Sequence, residues 1–434
     1  MAFTKDWYIE NFRKIENKLT GGANTKLQKI RSEAIETFGL LDFPSVKNEE
    51  WIYTNISPIL KYGFTPYDAN GNFKLTDKIS EYSVKGMDEI TIVLYNGIFQ
   101  NNIPVKHSLP AGVILSSFKN AIENNPDILE KHFGKYVKQE NGFISLNTAF
   151  ADDGVFIYIP DNVVLLKPIH IININGGRKE ILSQPRNIII SGKNSSATVI
   201  ESYNSLDNET GFTNVITELF AGEGSNINFY KFQNENDKSF HISRVQAEQK
   251  KSSVFTIYTV TTGGSLVRND VNTLLNDEGC ETHLFGLYLT DGSQHVDNHT
   301  LIDHAKPHCM SNELYKGVLN HKSHGVFNGK VYVRPDAQKT NAYQSNKNIL
   351  LTKEASVDTK PQLEIYADDV RCTHGATVGQ LDDESVFYFR SRGIPKDEAV
   401  KLLINAFAND IFENMENEPL REHIGKMIFN KLKF

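Results

Sequence analysis

Cysteine is scarce in this chain: three in 434 residues, Cys280, Cys309 and Cys372. So sparse and odd a set gives no disulfide framework, and free thiols in a reducing compartment are expected. No Cys-x-x-Cys pair exists, which excludes a closed structural zinc site of the common kind. No run approaches 18 apolar residues, so no membrane-spanning helix is expected. Positive charge is in deficit. The formal net charge is −7 and there is no long basic run, so nothing draws the chain to nucleic acid. Residues 1–18 lack the apolar core of a signal peptide and the Arg/Ser-rich character of a transit peptide, so a cytosolic chain is expected. Catalytic motifs are missing too. Gly325-Val-Phe-Asn-Gly329-Lys330 fails as a phosphate loop on spacing, and no Ser or Thr follows its lysine. Gly222-Glu-Gly224 lacks the third glycine of a dinucleotide fingerprint, and there is no Gly-x-Ser-x-Gly elbow.

What is present divides into helical ends and a strand-rich middle. Trp7, Tyr8, Phe12, Ile15 and Leu19 fall at helical spacing. After Gly21-Gly22 a second stripe runs through Leu27, Ile30, Ala34, Ile35 and Phe38, with Gly39 as the expected stop. Near the other end Pro395, Asp397 and Glu398 suit a helix start, and Ala399, Val400, Leu403, Ala406, Phe407 and Ile411 follow with a 3.6 period. Pro419 restarts the chain into Leu420, Ile424, Met427 and Ile428.

Between about 90 and 385, short runs of Val, Ile, Phe, Tyr and Thr recur between Gly, Asn, Asp and Ser clusters. So much strand without helical crossovers leaves sandwiches, a propeller or a β-helix. A polar turn, a small residue and an alternating strand recur at Ser196, Ser225, Ser253 and Cys280, in steps of 29, 28 and 27 residues. A period of this length marks a stacked array whose units cannot bury their own apolar faces. The reading is therefore mainly β: a parallel β-helix at 86–385 between a helical segment at 1–85 and another at 386–434, with a propeller as the alternative. The end helices are expected to cap open sheet edges.

Ligand-type residues concentrate late in the chain. His283, His295, His299, His304, His308, His321, His324 and His374 lie there with all three cysteines, and imidazole and thiolate suit zinc and iron. The plain alternative is an accumulation of turn histidines in a repeat protein. His299 and His304, five apart, fall on opposite faces of a strand and form no pair. Cys372 and His374, two apart, share a face about 7 Å apart. That is too wide for one ion but suits a small cluster, whose remaining ligands would come from sulfide, water or another chain. The alternative is a half-buried thiol beside a hydrogen-bonded imidazole. The acidic run Asp382-Asp383-Glu384 reads as a solvated turn.

The run Arg371-Cys-Thr-His-Gly-Ala-Thr-Val-Gly379, then Phe387-Tyr-Phe-Arg-Ser-Arg-Gly-Ile394, resembles the C-terminal signature of the SufB/SufD family of the SUF iron–sulfur cluster assembly system. So do His299-Thr with His304, Pro307 and Lys316-Gly-Val318, and, earlier, Gly154-Val-Phe-Ile-Tyr-Ile-Pro160 and Pro168. Pro44-Ser-Val-Lys47 with Glu50-Trp51 and Tyr53-Thr54 resembles the family's entry into the β region. SufB-like chains carry Glu-Ala-Ser-Thr in place of His374-Gly-Ala-Thr377 and a cysteine in place of Phe389, so the resemblance is to the SufD branch.

The resemblance implies a right-handed β-helix and a non-catalytic scaffold subunit that works with SufB and the ATPase SufC on nascent iron–sulfur clusters. It implies that His374, with Cys372 beside it, faces a transient cluster shared with SufB. It implies that Arg390, Arg392, Gly393, Ile394 and Pro395, with the helices after them, dock SufC. Nucleotide would then be bound by SufC and not by this chain. A homodimer through the SufB-facing edge is one state in isolation that the sequence leaves open. Two other readings stand beside this one. A metal-dependent β-helix enzyme acting on polysaccharide is disfavoured by the missing signal and by Trp7 and Trp51 lying outside the repeats. A pure interaction module would use His374 only as a hydrogen-bonding group.

Overall fold

The computed structural model describes residues 4–21, 25–66, 79–103, 107–413 and 415–431. Its body is a β-solenoid of about 8 turns. Successive turns feed alternate strands to two sheets, of 11 and 10 strands, whose order runs along the axis. In the second sheet Ser196–Ser205, Asn226–Asn234, Val254–Thr261, Glu281–Thr290, Met310–Leu319, Asn341–Leu350 and Arg371–Gly379 pair in sequence, all parallel. This ladder excludes the propeller, whose blades are separate antiparallel sheets.

The repeat has a backbone cause. Asn194, Gly224, Ser252, Gly279, His308 and Lys339 all adopt left-handed φ between 53° and 72°. Each is followed by a buried residue: Ser195, Ser225, Ser253, Cys280, Cys309 and Thr340. The sharp turn delivers a compact side chain into the solenoid wall, where the next turn stacks on it. Ser196 pairs with Asn226, so the residue stacked under Ser225 is Ser195 and the first repeat is one residue longer than the sequence spacing suggests.

Inside, the two sheets face each other across an apolar core that includes Val199, Phe229, Ile257, Leu284, Ile302 and Val331. The helices lie on the outer faces. Tyr8, Phe12, Phe38 and Trp51 pack over Phe212, Phe240 and Leu266 of the 11-stranded sheet. The helices Lys396–Asn409 and Glu418–Lys431 put Ile404, Ala408, Ile424 and Ile428 against Tyr230, Tyr258 and Phe285 of the other sheet, whose rings stack at 5.0 and 4.8 Å.

Three sequence expectations change. The helix Thr25–Leu41 runs through Gly39 and stops at Asp42, whose φ of 60° takes the left-handed cap position while its N–H bonds to Phe38 O at 2.9 Å. Asp can adopt this conformation, so glycine is not needed. Gly22, the second glycine of the earlier break, lies outside the described residues. Short helices Phe118–Asn124, Pro126–His132 and Gly142–Ala149 occupy stretches that read as strand and turn. They were hidden because none is long enough to display a helical period. Finally, the end helices do not cap the solenoid. Its first turn is closed by antiparallel strands: Ile98–Phe99 on Ile90–Tyr95, and Ile114–Ser117 on Val155–Ile159. Its last turn, Ser356–Ile365 and Arg371–Gly379, pairs on one side only among the described residues.

Candidate functional site at the open end

The last strand of the 10-stranded sheet, Arg371–Gly379, is exposed along almost its whole length. Only Cys372 is half-buried, packed against the internal core above Ala342. Burial raises its thiol pKa, so its proton is held more tightly than usual. His374 shares its face by alternation and is exposed.

Below His374 the register places Gln344, then Glu313, then Leu284. The column is apolar from Phe229 through Ile257 to Leu284 and polar in its last three rungs. Glu313 is 1% exposed, and burial raises its pKa to about 7. Gln344 is 3% exposed and donates from Nε2 to Glu313 Oε2 at 2.7 Å. Next to it, Asn348 Nδ2 and Thr359 Oγ1 donate to Asn346 Oδ1 at 2.7 and 2.9 Å. Tyr288 Oη donates to Asn348 Oδ1 at 2.5 Å. In the His374 column the apolar core thus gives way to hydrogen-bonded polar groups at the open end, while the columns of Asn346 and Asn348 stay polar deeper in, through Lys231, Glu201 and Gln233.

The other ligand-type residues do not join His374. Cys280 and Cys309 stack in the solenoid turns, fully buried, each bonding to Asp277 O, at 3.2 and 3.3 Å. His308 and His321 are turn residues with left-handed φ, so the plain reading of turn histidines holds for them. His304 faces the interior and bonds to Ser311 at 2.9 Å, and burial lowers its pKa to about 3. His299 faces outward, as its spacing from His304 requires. Among the described residues no three His, Cys, Asp or Glu side chains converge as a metal site.

Two quoted motifs meet elsewhere. Trp51 lies under the Arg268 guanidinium at 3.8 Å, and Arg268 donates to Glu50 O at 2.6 Å and Asp297 at 2.9 Å. Thr54 donates to Asp297 at 2.5 Å, and His299 bridges Asp297 and Glu50 at 3.0 and 3.4 Å. Burial pushes the Asp297 carboxyl up, but His299 and Arg268 hold it well below the usual carboxylate range. This cluster fastens the entry segment to the outer face of the solenoid. It borders a cavity of about 510 Å³ whose charged side chains are largely paired with one another.

Beyond the last strand, Asp382 caps the helix Asp383–Ser391, accepting from Glu384 N at 3.2 Å and Ser385 N at 3.1 Å. The acidic run is therefore a cap with two first-turn acids, which the macrodipole favours, and not a free turn. No residue of this helix is buried, and Phe387 and Tyr388 stand exposed. Arg392 covers the Tyr388 ring at 5.0 Å. Gly393, at φ 85°, turns the chain toward Pro395 and the helix Lys396–Asn409. Arg390, Arg392, Gly393 and Pro395 are exposed and Ile394 is half-buried. Lys316 then ties Lys396–Asn409 down, donating to Phe407 O at 2.6 Å and Asp410 at 2.5 Å.

Family comparison agrees with this architecture. The SUF system FeS cluster assembly, SufBD core domain model matches residues 172–407, and the SufBD protein N-terminal region matches 2–171. The chain belongs to the SufBD family. It is 31% identical over 407 residues to an iron–sulfur cluster assembly SufBD family protein of Synechocystis sp., covering 92% of this chain and 89% of the relative. The iron–sulfur cluster assembly protein SufD of Escherichia coli is 28% identical, with 90% and 89% covered. That of Bacillus subtilis is 25% identical, with 94% of each covered. Membership makes this SufBD protein a component of iron–sulfur cluster assembly.

Proposed function

We propose that this chain is a non-catalytic scaffold subunit in the SufD role, which meets SufB at the open end of the solenoid and the ATPase SufC through its C-terminal region. One observation supports this above the rest: His374, the one histidine on the last strand, whose outer edge is unpaired among the described residues, stands exposed beside a half-buried thiol. An unpaired edge is a template for a second chain. A site split between two chains accounts for a ligand set that is incomplete here. The nascent cluster is cargo. His374 would contact it through an imidazole nitrogen and Cys372 would contact or flank it, with the remaining ligands from SufB. The exposed Arg390–Pro395 turn and the aromatic face of Asp383–Ser391 suit SufC docking, and nucleotide stays with SufC. No described helix is long and apolar enough to cross a membrane, and we place the working complex in the cytosol.

The test is co-expression of the tagged chain with SufB and SufC, anaerobic purification, and iron and sulfide analysis. Wild type is expected to give a three-component complex that gains a cluster, and His374→Ala the same complex without it. Equal loading of both would remove His374 from the site. Failure to recover either partner would remove the scaffold role.

A further inference from the structure

In Asn341–Leu350, three amides face the solenoid interior: Gln344, Asn346 and Asn348. The oxygens of two are taken. Asn346 Oδ1 accepts from Asn348 and Thr359, and Asn348 Oδ1 accepts from Tyr288. Gln344 Oε1 is buried with no partner among the described residues. An orphaned buried carbonyl is costly, so a group that completes it is expected nearby. The next rung above Gln344 is His374, about 4.8 Å away in the direction of the ladder.

The amide's orientation is set from below. Its Nε2 is committed to Glu313 Oε2 at 2.7 Å, which turns Oε1 away from Glu313. Either protonation state of Glu313 keeps an acceptor oxygen for that N–H. Glu313 occupies a column whose deeper rungs are Leu284, Ile257 and Phe229. An apolar residue there would continue the core without the penalty of burying a carboxyl.

We infer that Glu313 and Gln344 are positioning residues for His374: Glu313 fixes the Gln344 amide, and Gln344 Oε1, unpartnered in the structure, is the acceptor to which the exposed His374 ring turns to donate its N–H. One imidazole tautomer is thereby selected, and the other nitrogen keeps its lone pair toward the open end. Second-layer hydrogen bonds that orient an imidazole and raise its basicity are a general device of metal-binding histidines. The inference deepens the site proposed above and rests on it for purpose, but its geometry belongs to this chain alone.

The test is ¹⁵N NMR of the full chain labelled at its 13 histidines, with His374 assigned by comparison with His374→Ala. Wild type is expected to show one donor-type and one acceptor-type ring nitrogen for His374. Gln344→Met should average the two nitrogens. Glu313→Gln, nearly isosteric and a check against misfolding, should average them in part. In the SufB–SufC complex both substitutions should lower cluster retention roughly 10-fold, with no change in complex yield. Averaged His374 nitrogens in wild type, or a fixed tautomer that survives in Gln344→Met, would overturn the inference. A fixed tautomer released by Gln344→Met while His374→Ala still loads cluster would uphold the positioning and overturn the cluster site instead.

Discussion

The two ends of the solenoid are built differently. At the first, Ile90–Tyr95 is buried at five of its six positions and covered by antiparallel strands, with Phe99, Leu109, Val113 and Leu115 packed against the core. At the last, Arg371–Gly379 has no buried residue and a bare edge. Both ends face the same problem, a row of unpaired backbone groups that invites other strands. One end solves it within the chain. The other leaves it open, and the residues of the candidate site stand there. A parallel ladder has no intrinsic terminus, so its function can sit wherever the chain stops closing it.

Core substitutions probe this contrast most strongly. Leu94→Ala at the closed end should destabilise the chain by about 3 kcal/mol, because its cavity cannot collapse. Val378→Ala, also inward-facing but 47% exposed, should change stability by less than about 0.5 kcal/mol. Urea unfolding of the two variants checks this, and equal losses would mean that the last turn is closed in solution. A more specific probe is Ala376→Lys. It should leave the isolated chain's unfolding curve in place yet weaken SufB capture at least 10-fold in a titrated pull-down, since an edge lysine opposes strand addition.

A smaller effect is expected from Glu313→Gln under the open end. The unfolded carboxyl releases its proton near its ordinary value of 4.5, and the folded one at about 7. In that window the native state binds more protons, so this group's contribution is complete below pH 4.5 and is lost as pH rises to about 7. Thermal unfolding across pH should therefore show wild type falling relative to Glu313→Gln between these values, by a few kcal/mol at most. Parallel curves would mean that Glu313 titrates as an exposed acid. Asp382→Ala, on the solvent side, should only fray the first turn of Asp383–Ser391, seen as faster exchange of the Glu384 and Ser385 amides.

Much of this fold is legible in the sequence, because its period is written in the turns of one corner, where a left-handed residue precedes a small buried one at Ser195, Ser225, Ser253, Cys280, Cys309 and Thr340. The strands follow from alternation, and the long outer helices from their stripes. The helices at 118–149 are invisible to periodicity because they are short. The open end is invisible because it depends on where other elements pack, which no local pattern records. For the site, the motif resemblance points to His374 and Cys372. Their setting was out of reach, since Gln344 and Glu313 stand 30 and 61 residues upstream and meet His374 only through the register. The alternation of Glu313 with buried Tyr315 was the one available signal, and it reads as an ordinary half-exposed strand. The fastening of Glu50, Trp51 and Thr54 to Arg268, Asp297 and His299 is likewise invisible to local pattern, although Glu50, Trp51, Thr54 and His299 all stand in the motifs that carry the resemblance.

The central claim is that the edge of Arg371–Gly379 is a partner-binding surface. Hydrogen–deuterium exchange of this strand, in the dilute chain alone and in the purified complex with SufB and SufC, tests it most directly. The account predicts fast exchange of its outward amides in the lone chain and strong protection in the complex, with Ile90–Tyr95 protected in both. Unchanged exchange of Arg371–Gly379 in a complex that nonetheless forms would contradict it.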